Sequence, residues 1–354
     1  MRFGWLTLAH SPSAADDQRE IFRQLEQACL AETLGFDGIW LTEHNFTGES
    51  VYSDPIPFAA ALAMRTSRIR IGFAVIQMAL RHPVRLATQL SLLDNLSNGR
   101  LDIGVGRGSI FNEYEFVGYG LRSDDARERM AEALDVMTRA WTDTPLDYNG
   151  RFFTLSVPEL RPAPVQKPHP PIWHSVVTAP SFEACGRKGV PILTVRLPVN
   201  QIADRLGLYR RALAASGLGE ADQERLVSSA GLWRWIYVGA CRAEAEDELA
   251  EALLHTRRHM NHARHDLNPA DFAIPDAMLN PWTDARVADA DGIRFALENG
   301  AIVGTAADVA ERIAELRDAG VGHVLAQMSF GYLGHERITA SMRRFGEMVM
   351  PKFR

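Results

Sequence analysis

Eight short apolar runs recur along the chain, and stretches of helical periodicity separate them. Residues 3–9, 38–42, 69–76, 101–105, 172–177, 192–195, 232–238 and 323–328 read as strands. Helical patterns fall at 18–34, 55–66, 83–96, 124–141, 181–188, 200–216, 244–264, 305–319 and 335–349. The strand runs are nearly continuous in apolar residues, as parallel strands covered on both faces are. Strict β–α alternation predicts a parallel sheet, and eight units predict an α/β fold of the (β/α)8 TIM barrel type with loop insertions. An open doubly wound sheet is the alternative. Residues 106–123 and 265–301 read as long, irregular connections, and 142–171 as a small hairpin with an extended link. No linker divides the chain, so residues 1–354 are expected to form a single domain.

The charge balance removes several functions. Lys plus Arg total 38 and Asp plus Glu 44, a net charge of −6, with no basic run for nucleic acid. Lys167, Lys188 and Lys352 are the only lysines, and none lies at a strand end, which argues against Schiff-base chemistry. Cys29, Cys185 and Cys241 are far apart, so neither a disulfide framework nor a zinc site is expected. The first residues lack a signal-peptide pattern, and no uninterrupted apolar window has spanning length. A cytoplasmic protein without membrane contact is the expectation.

In a β/α barrel the chemistry sits just after the strands. The second strand ends in Thr42-Glu43-His44-Asn45-Phe46, a carboxylate and an imidazole suited to proton transfer. The third runs into Gly72-Phe73-Ala74-Val75-Ile76, small enough for a flat ligand to approach the backbone. The fourth ends in Gly104-Val105-Gly106-Arg107-Gly108-Ser109, a turn that aims a guanidinium at an anion. Ser109 and the lack of a downstream acidic ribose partner reject a dinucleotide fingerprint. The fifth leads through Val177, Thr178 and Ser181 into a helix, readable as a phosphate cradle or as a plain N-cap. His255, His259, His262 and His265 read as a solvated helix face away from the strand ends. Trp5, Phe46, Phe73, Met78, Trp173, Trp233 and Trp235 are candidates for a dry wall, or for core.

The segments AETLGFDGIWLTEHNF, SRIRIGFAVIQMALRHPVRLATQLSLLDNLSNGRLDIGVGRG and NEYEFVGYG, with VGTAADVAERIAELRDAGVGHVLAQMSFG, resemble bacterial luciferase-like flavin-dependent monooxygenases. The resemblance implies a barrel that uses reduced FMN and O2, through a C4a-peroxyflavin, to oxygenate a small organic substrate. On it, His44 is the catalytic histidine beside the flavin ring and Glu43 supports it. A non-proline cis peptide is implied near Ala74–Val75, under the ring, with Gly106 nearby. Arg107, Arg127, Val177, Thr178 and Ser181 would hold the phosphate end. Luciferase has a reactive cysteine at the position of Gly106. No second nucleotide site is visible, so a separate NAD(P)H:flavin reductase is the implied electron source, and a homodimer the implied assembly. A deazaflavin-dependent hydride transferase and a non-catalytic flavin-binding protein are the alternatives on this fold.

Overall fold

A computed structural model describes residues 1–354. The eight expected strands all form: β1 (Arg2–Thr7), β2 (Gly38–Leu41), β3 (Arg70–Phe73), β4 (Leu101–Gly106), β5 (Ile172–Val176), β6 (Ile192–Thr194), β7 (Gly231–Val238) and β8 (His323–Ser329). Each pairs with the next in parallel, and β8 pairs with β1, which closes the ring. The helices are α1 (Asp17–Thr33), α2 (Pro55–Arg65), α3 (Pro83–Leu96), α4 (Glu113–Gly118), α5 (Ala126–Thr142), α6 (Ala179–Lys188), α7 (Val199–Leu213), α8 (Glu220–Ser229), α9 (Arg242–Leu267), α10 (Asp289–Gly300), α11 (Ala306–Asp318) and α12 (His335–Arg344). No helix is long and apolar enough to cross a membrane.

Local chemistry sets the helix ends. The Asp54 carboxylate accepts from the Ile56 N–H, with Pro55 in the first turn of α2, where a missing N–H costs nothing. Thr305 and Asp308 exchange bonds in a capping box that starts α11. Gly189, at φ +64°, ends α6 in the left-handed region.

The main core lies between strands and helices, where Phe3, Trp5, Ile39 and Phe73 face outward from the ring. Strand residues alternate in direction, so Leu6, Trp40, Trp173, Leu193 and Leu325 fill the barrel, with Ala74, Val75 and Trp233 packed against them. Trp40 occupies space that glycines leave open. A Cβ at Gly72 would lie 2.5 Å from its Cε3, and one at Gly4 2.5 Å from its Cδ1. Its ring meets Trp173 edge to face at 5.4 Å.

Four expectations need correction. The third strand is not continuous over 69–76: it stops at Phe73, a cis peptide joins Ala74 to Val75, and Ile76–Gln77 pairs with β4 two residues later. The 106–123 connection contains α4. Ala301–Gly304 is a strand on the C-terminal half of β7, beyond the point where short β6 has ended. The 335–349 helix is α-helical only to Arg344, then widens into a π turn at Phe345–Val349. In these cases strand length or helix pitch was set by the neighbouring elements, which periodicity along the chain does not record.

Candidate active site

The C-terminal ends of β2, β3 and β4 meet at His44. Its Nδ1 lies 3.1 Å from Oε1 of Glu115, and its Nε2 3.7 Å from Oε1 of Glu49. Glu115 comes from α4, inside the connection read as irregular. It is fully buried and collects donors: Gln77 Nε2 at 2.5 Å, Asn112 Nδ2 at 3.0 Å and the Asn45 N–H at 3.4 Å. Burial opposes its ionised form, yet His44, Gln77 and Asn112 hold it below the usual carboxylate range. Burial likewise opposes the imidazolium of His44, but Glu49 and Glu115 outweigh it and push its pKa up to about 9. His44 is therefore protonated at neutral pH, with Nδ1 toward Glu115 and Nε2 toward Glu49.

Glu43 does not support His44 directly. Consecutive residues of an extended segment point to opposite sides. The Glu43 carboxylate accepts from the Gln77 N–H at 2.9 Å and from Arg81 Nη2 at 2.7 Å. Burial pushes its pKa up, although Arg81 works the other way. The support expected of Glu43 belongs to Glu115, and the two carboxylates are bridged by Gln77, whose Nε2 also donates to the Glu43 carbonyl at 2.7 Å.

A pH dependence follows from the sign of the His44 shift. A histidine whose folded pKa exceeds its unfolded value, ~6.5, stabilises the fold fully below that value. That contribution is lost as pH rises through about 9. An NMR titration of the His44 imidazole should show a midpoint near 9 in the native protein and a lower one in Glu115→Gln. A native midpoint at or below ~6.5 would show that the two carboxylates do not outweigh burial.

The α9 histidines are only partly a solvated face. His255, His262 and His265 are exposed. His259 instead turns toward the mouth, with Nδ1 3.0 Å from the Tyr332 hydroxyl and its ring 5.9 Å from that of His10. Burial lowers the pKa of His259. Burial, then His259 and His44, bring His10 down to about 3. The Gly331 N–H donates to His10 Nδ1, so the neutral ring carries its proton on Nε2. Arg264 also reaches inward from α9: its Nε donates to Asn112 Oδ1 at 3.1 Å and its guanidinium stacks on Phe111 at 4.8 Å. The N-terminal periodicity of α9 gives no hint that its C-terminal half covers the barrel.

On the β4–β5 side the other candidates gather. Arg107 is half-buried, and the one charged group acting on it is Arg127, which, after burial, lowers its pKa. Thr178 precedes α6 and does not cap it with its side chain; its hydroxyl donates to Ser181 Oγ at 3.3 Å. Ser181 Oγ donates to the Thr178 carbonyl at 2.6 Å, and Val177 is exposed beside them. Under the mouth the chain is closely fitted. A Cβ at Gly106 would lie 2.5 Å from Val75 Cγ2, and one at Gly104 1.9 Å from the Phe73 carbonyl oxygen. A reactive cysteine at 106 is therefore incompatible with this packing.

Of the apolar candidates, Trp173 and Trp233 line the barrel interior near Ala74 and Val75. Trp235 belongs to a smaller cluster with Trp282 and Phe330. Trp5, Phe73 and Met78 are core between strands and helices. Phe46 is exposed and packs on Tyr119 at 5.4 Å. Trp40, Glu49, Glu115, His259 and Arg264 went unrecognised; only the glycines around Trp40 left a trace in the sequence.

Residues 1–323 match the sequence profile of the luciferase-like monooxygenases. The chain belongs to that family. Among its relatives is the oxygenase component of a flavin-dependent trigonelline monooxygenase from Acinetobacter baylyi, 25% identical over 100% of this chain and 96% of that protein. The monooxygenase RslO1 from Streptomyces bottropensis has the same fold, with a TM-score of 0.83 and 27% identity over 100% of both chains. An F420-dependent secondary alcohol dehydrogenase shares the fold alone, with a TM-score of 0.73 at 19% identity, over 100% of this chain and 99% of that one. Flavin-dependent monooxygenases thus occur among the homologues of this family member, and an F420-dependent enzyme shares its fold.

Proposed function

We propose that the chain is the oxygenase component of a two-component system. It uses reduced FMN and O2 to place one oxygen atom in a small organic substrate. The observation that carries this reading is the division of the mouth into a side where Arg127 acts on half-buried Arg107 and a side where His44 is held by Glu115. The first suits a phosphate dianion, which would relieve the repulsion between the two guanidiniums. The second suits general acid chemistry.

Reduced FMN, when bound, supplies the two electrons and the site of O2 activation. The protein supplies the rest. Arg107, Arg127 and the hydroxyls of Thr178 and Ser181 bind the phosphate, beside Val177. The turn at Ala74–Val75 and the bare Gly106 give the ring a close seat. His44 donates a proton from Nε2, while Glu115 fixes its orientation and keeps Nδ1 protonated. Glu43 is a positioning residue that holds Gln77 and Arg81. Trp40, Trp173 and Trp233 exclude water from the floor. We place the protein in the cytoplasm as a homodimer of single-domain chains, fed by a separate NAD(P)H:flavin reductase.

Purified protein mixed with FMN and NADH is expected to oxidise no NADH steadily until a flavin reductase is added. Steady NADH oxidation without the reductase, followed by absorbance, would refute the two-component assignment.

A further inference from the structure

At the C-terminal end of β6, Arg196 sits in a corner made by two tryptophans of β7. Its guanidinium carbon lies 4.1 Å from the ring centre of Trp233 and 4.0 Å from that of Trp235. The two indoles are 6.3 Å apart at 72°. The stem is gripped as well: a Cβ at Gly300 would fall 2.9 Å from Arg196 Cδ. With the two rings at 72° the guanidinium lies flat on at most one of them, and the N–H fork of an unpaired guanidinium matches a carboxylate.

The charges around it do not balance. Arg234 and Arg264 repel Arg196, and Glu49 is the one carboxylate that acts on it. Glu49, however, already faces His44 Nε2 at 3.7 Å. Glu115 is taken up by His44, Gln77 and Asn112. With His44 protonated, the cations Arg196, Arg234, Arg264 and His44 outnumber the carboxylates Glu49 and Glu115 by two. Buried donors without partners lie on the same residues: Nη1 of Arg264 and Nε1 of both Trp233 and Trp235. Arg196 is half-buried and has no ion-pair partner in the chain, so an anion placed against its guanidinium would gain a charge-assisted contact in this aromatic corner.

We propose that Arg196 anchors the substrate, and that the substrate is an organic anion: a carboxylate on an apolar or aromatic body. The carboxylate takes the guanidinium fork, and the body lies along the tryptophans toward His44. This rests on the reading of the mouth as the oxygenase active site and names its substrate class.

The test uses flavin-free full-length protein and tryptophan fluorescence. Benzoate, naphthoate and decanoate are each titrated against the corresponding primary amide. At least one acid should bind saturably and about 30-fold or more tighter than its amide, the scale of removing one partner of a buried charge pair. Arg196→Met should abolish that preference, and Arg196→Lys should restore part of it. A role in folding alone would lower thermal stability in both variants without separating acids from amides. Amides that bind as well as acids, no acid that binds, or a preference that survives Arg196→Met would each overturn the proposal. Failure of the oxygenase reading would show separately, in anaerobic titration with reduced FMN, which these flavin-free measurements do not involve.

Discussion

Replacement of His44 by Ala should lower oxygenation of a substrate that the wild-type protein turns over by about 10²–10⁴-fold. Reduced-FMN affinity should change little. His44 lies at the end of the second strand with Nε2 3.7 Å from Glu49, and its other nitrogen is fixed on Glu115 at 3.1 Å. That arrangement makes a proton donor rather than an anchor for a phosphate. Glu49 and Glu115 keep the ring charged at neutral pH, so its loss removes a proton and a positive charge together. The check pairs product formed per reduced flavin with an anaerobic binding titration. A variant that loses binding and turnover in equal measure would place His44 in the cofactor cradle instead.

Arg107→Ala should show the reverse pattern. Charge-assisted hydrogen bonds are worth about 1.5–3 kcal/mol, so reduced-FMN affinity should fall by roughly 10- to 100-fold. Turnover at saturating flavin should stay near that of the wild type. Reduced riboflavin, which has no phosphate, serves as the control, and its affinity should be nearly unchanged. If both flavins lose affinity equally, Arg107 contacts the ring or shapes the turn. Arg127 is exposed at the start of α5 and should show a smaller effect in the same assay.

The barrel was legible in the sequence because its strands are mostly apolar runs bounded by helical periodicity. All eight appear within two residues of their expected starts. The break at Ala74–Val75 was implied only by resemblance, since no residue type in that run demands it. The strand-end rule found His44, Glu43, Arg107 and Thr178, because it depends only on where strands stop. It missed Glu115 and Glu49, which ride on loops, and it paired His44 with its sequence neighbour Glu43. Adjacent residues on extended backbone face apart, so the true partner had to come from elsewhere. Arg196 follows a strand of three residues. Its meaning depends on Trp233 and Trp235, nearly forty positions away, and on a lack of ion-pair partners that only three-dimensional packing reveals.

The central claim is that this mouth holds reduced FMN for reaction with O2. Anaerobic titration of the full-length protein with reduced FMN, in parallel with a reduced deazaflavin, tests it most directly. The account predicts saturable binding of reduced FMN, weakened by Arg107→Ala, with little or none of the deazaflavin. Binding of the deazaflavin with no binding of FMN would contradict it and assign the barrel to hydride transfer.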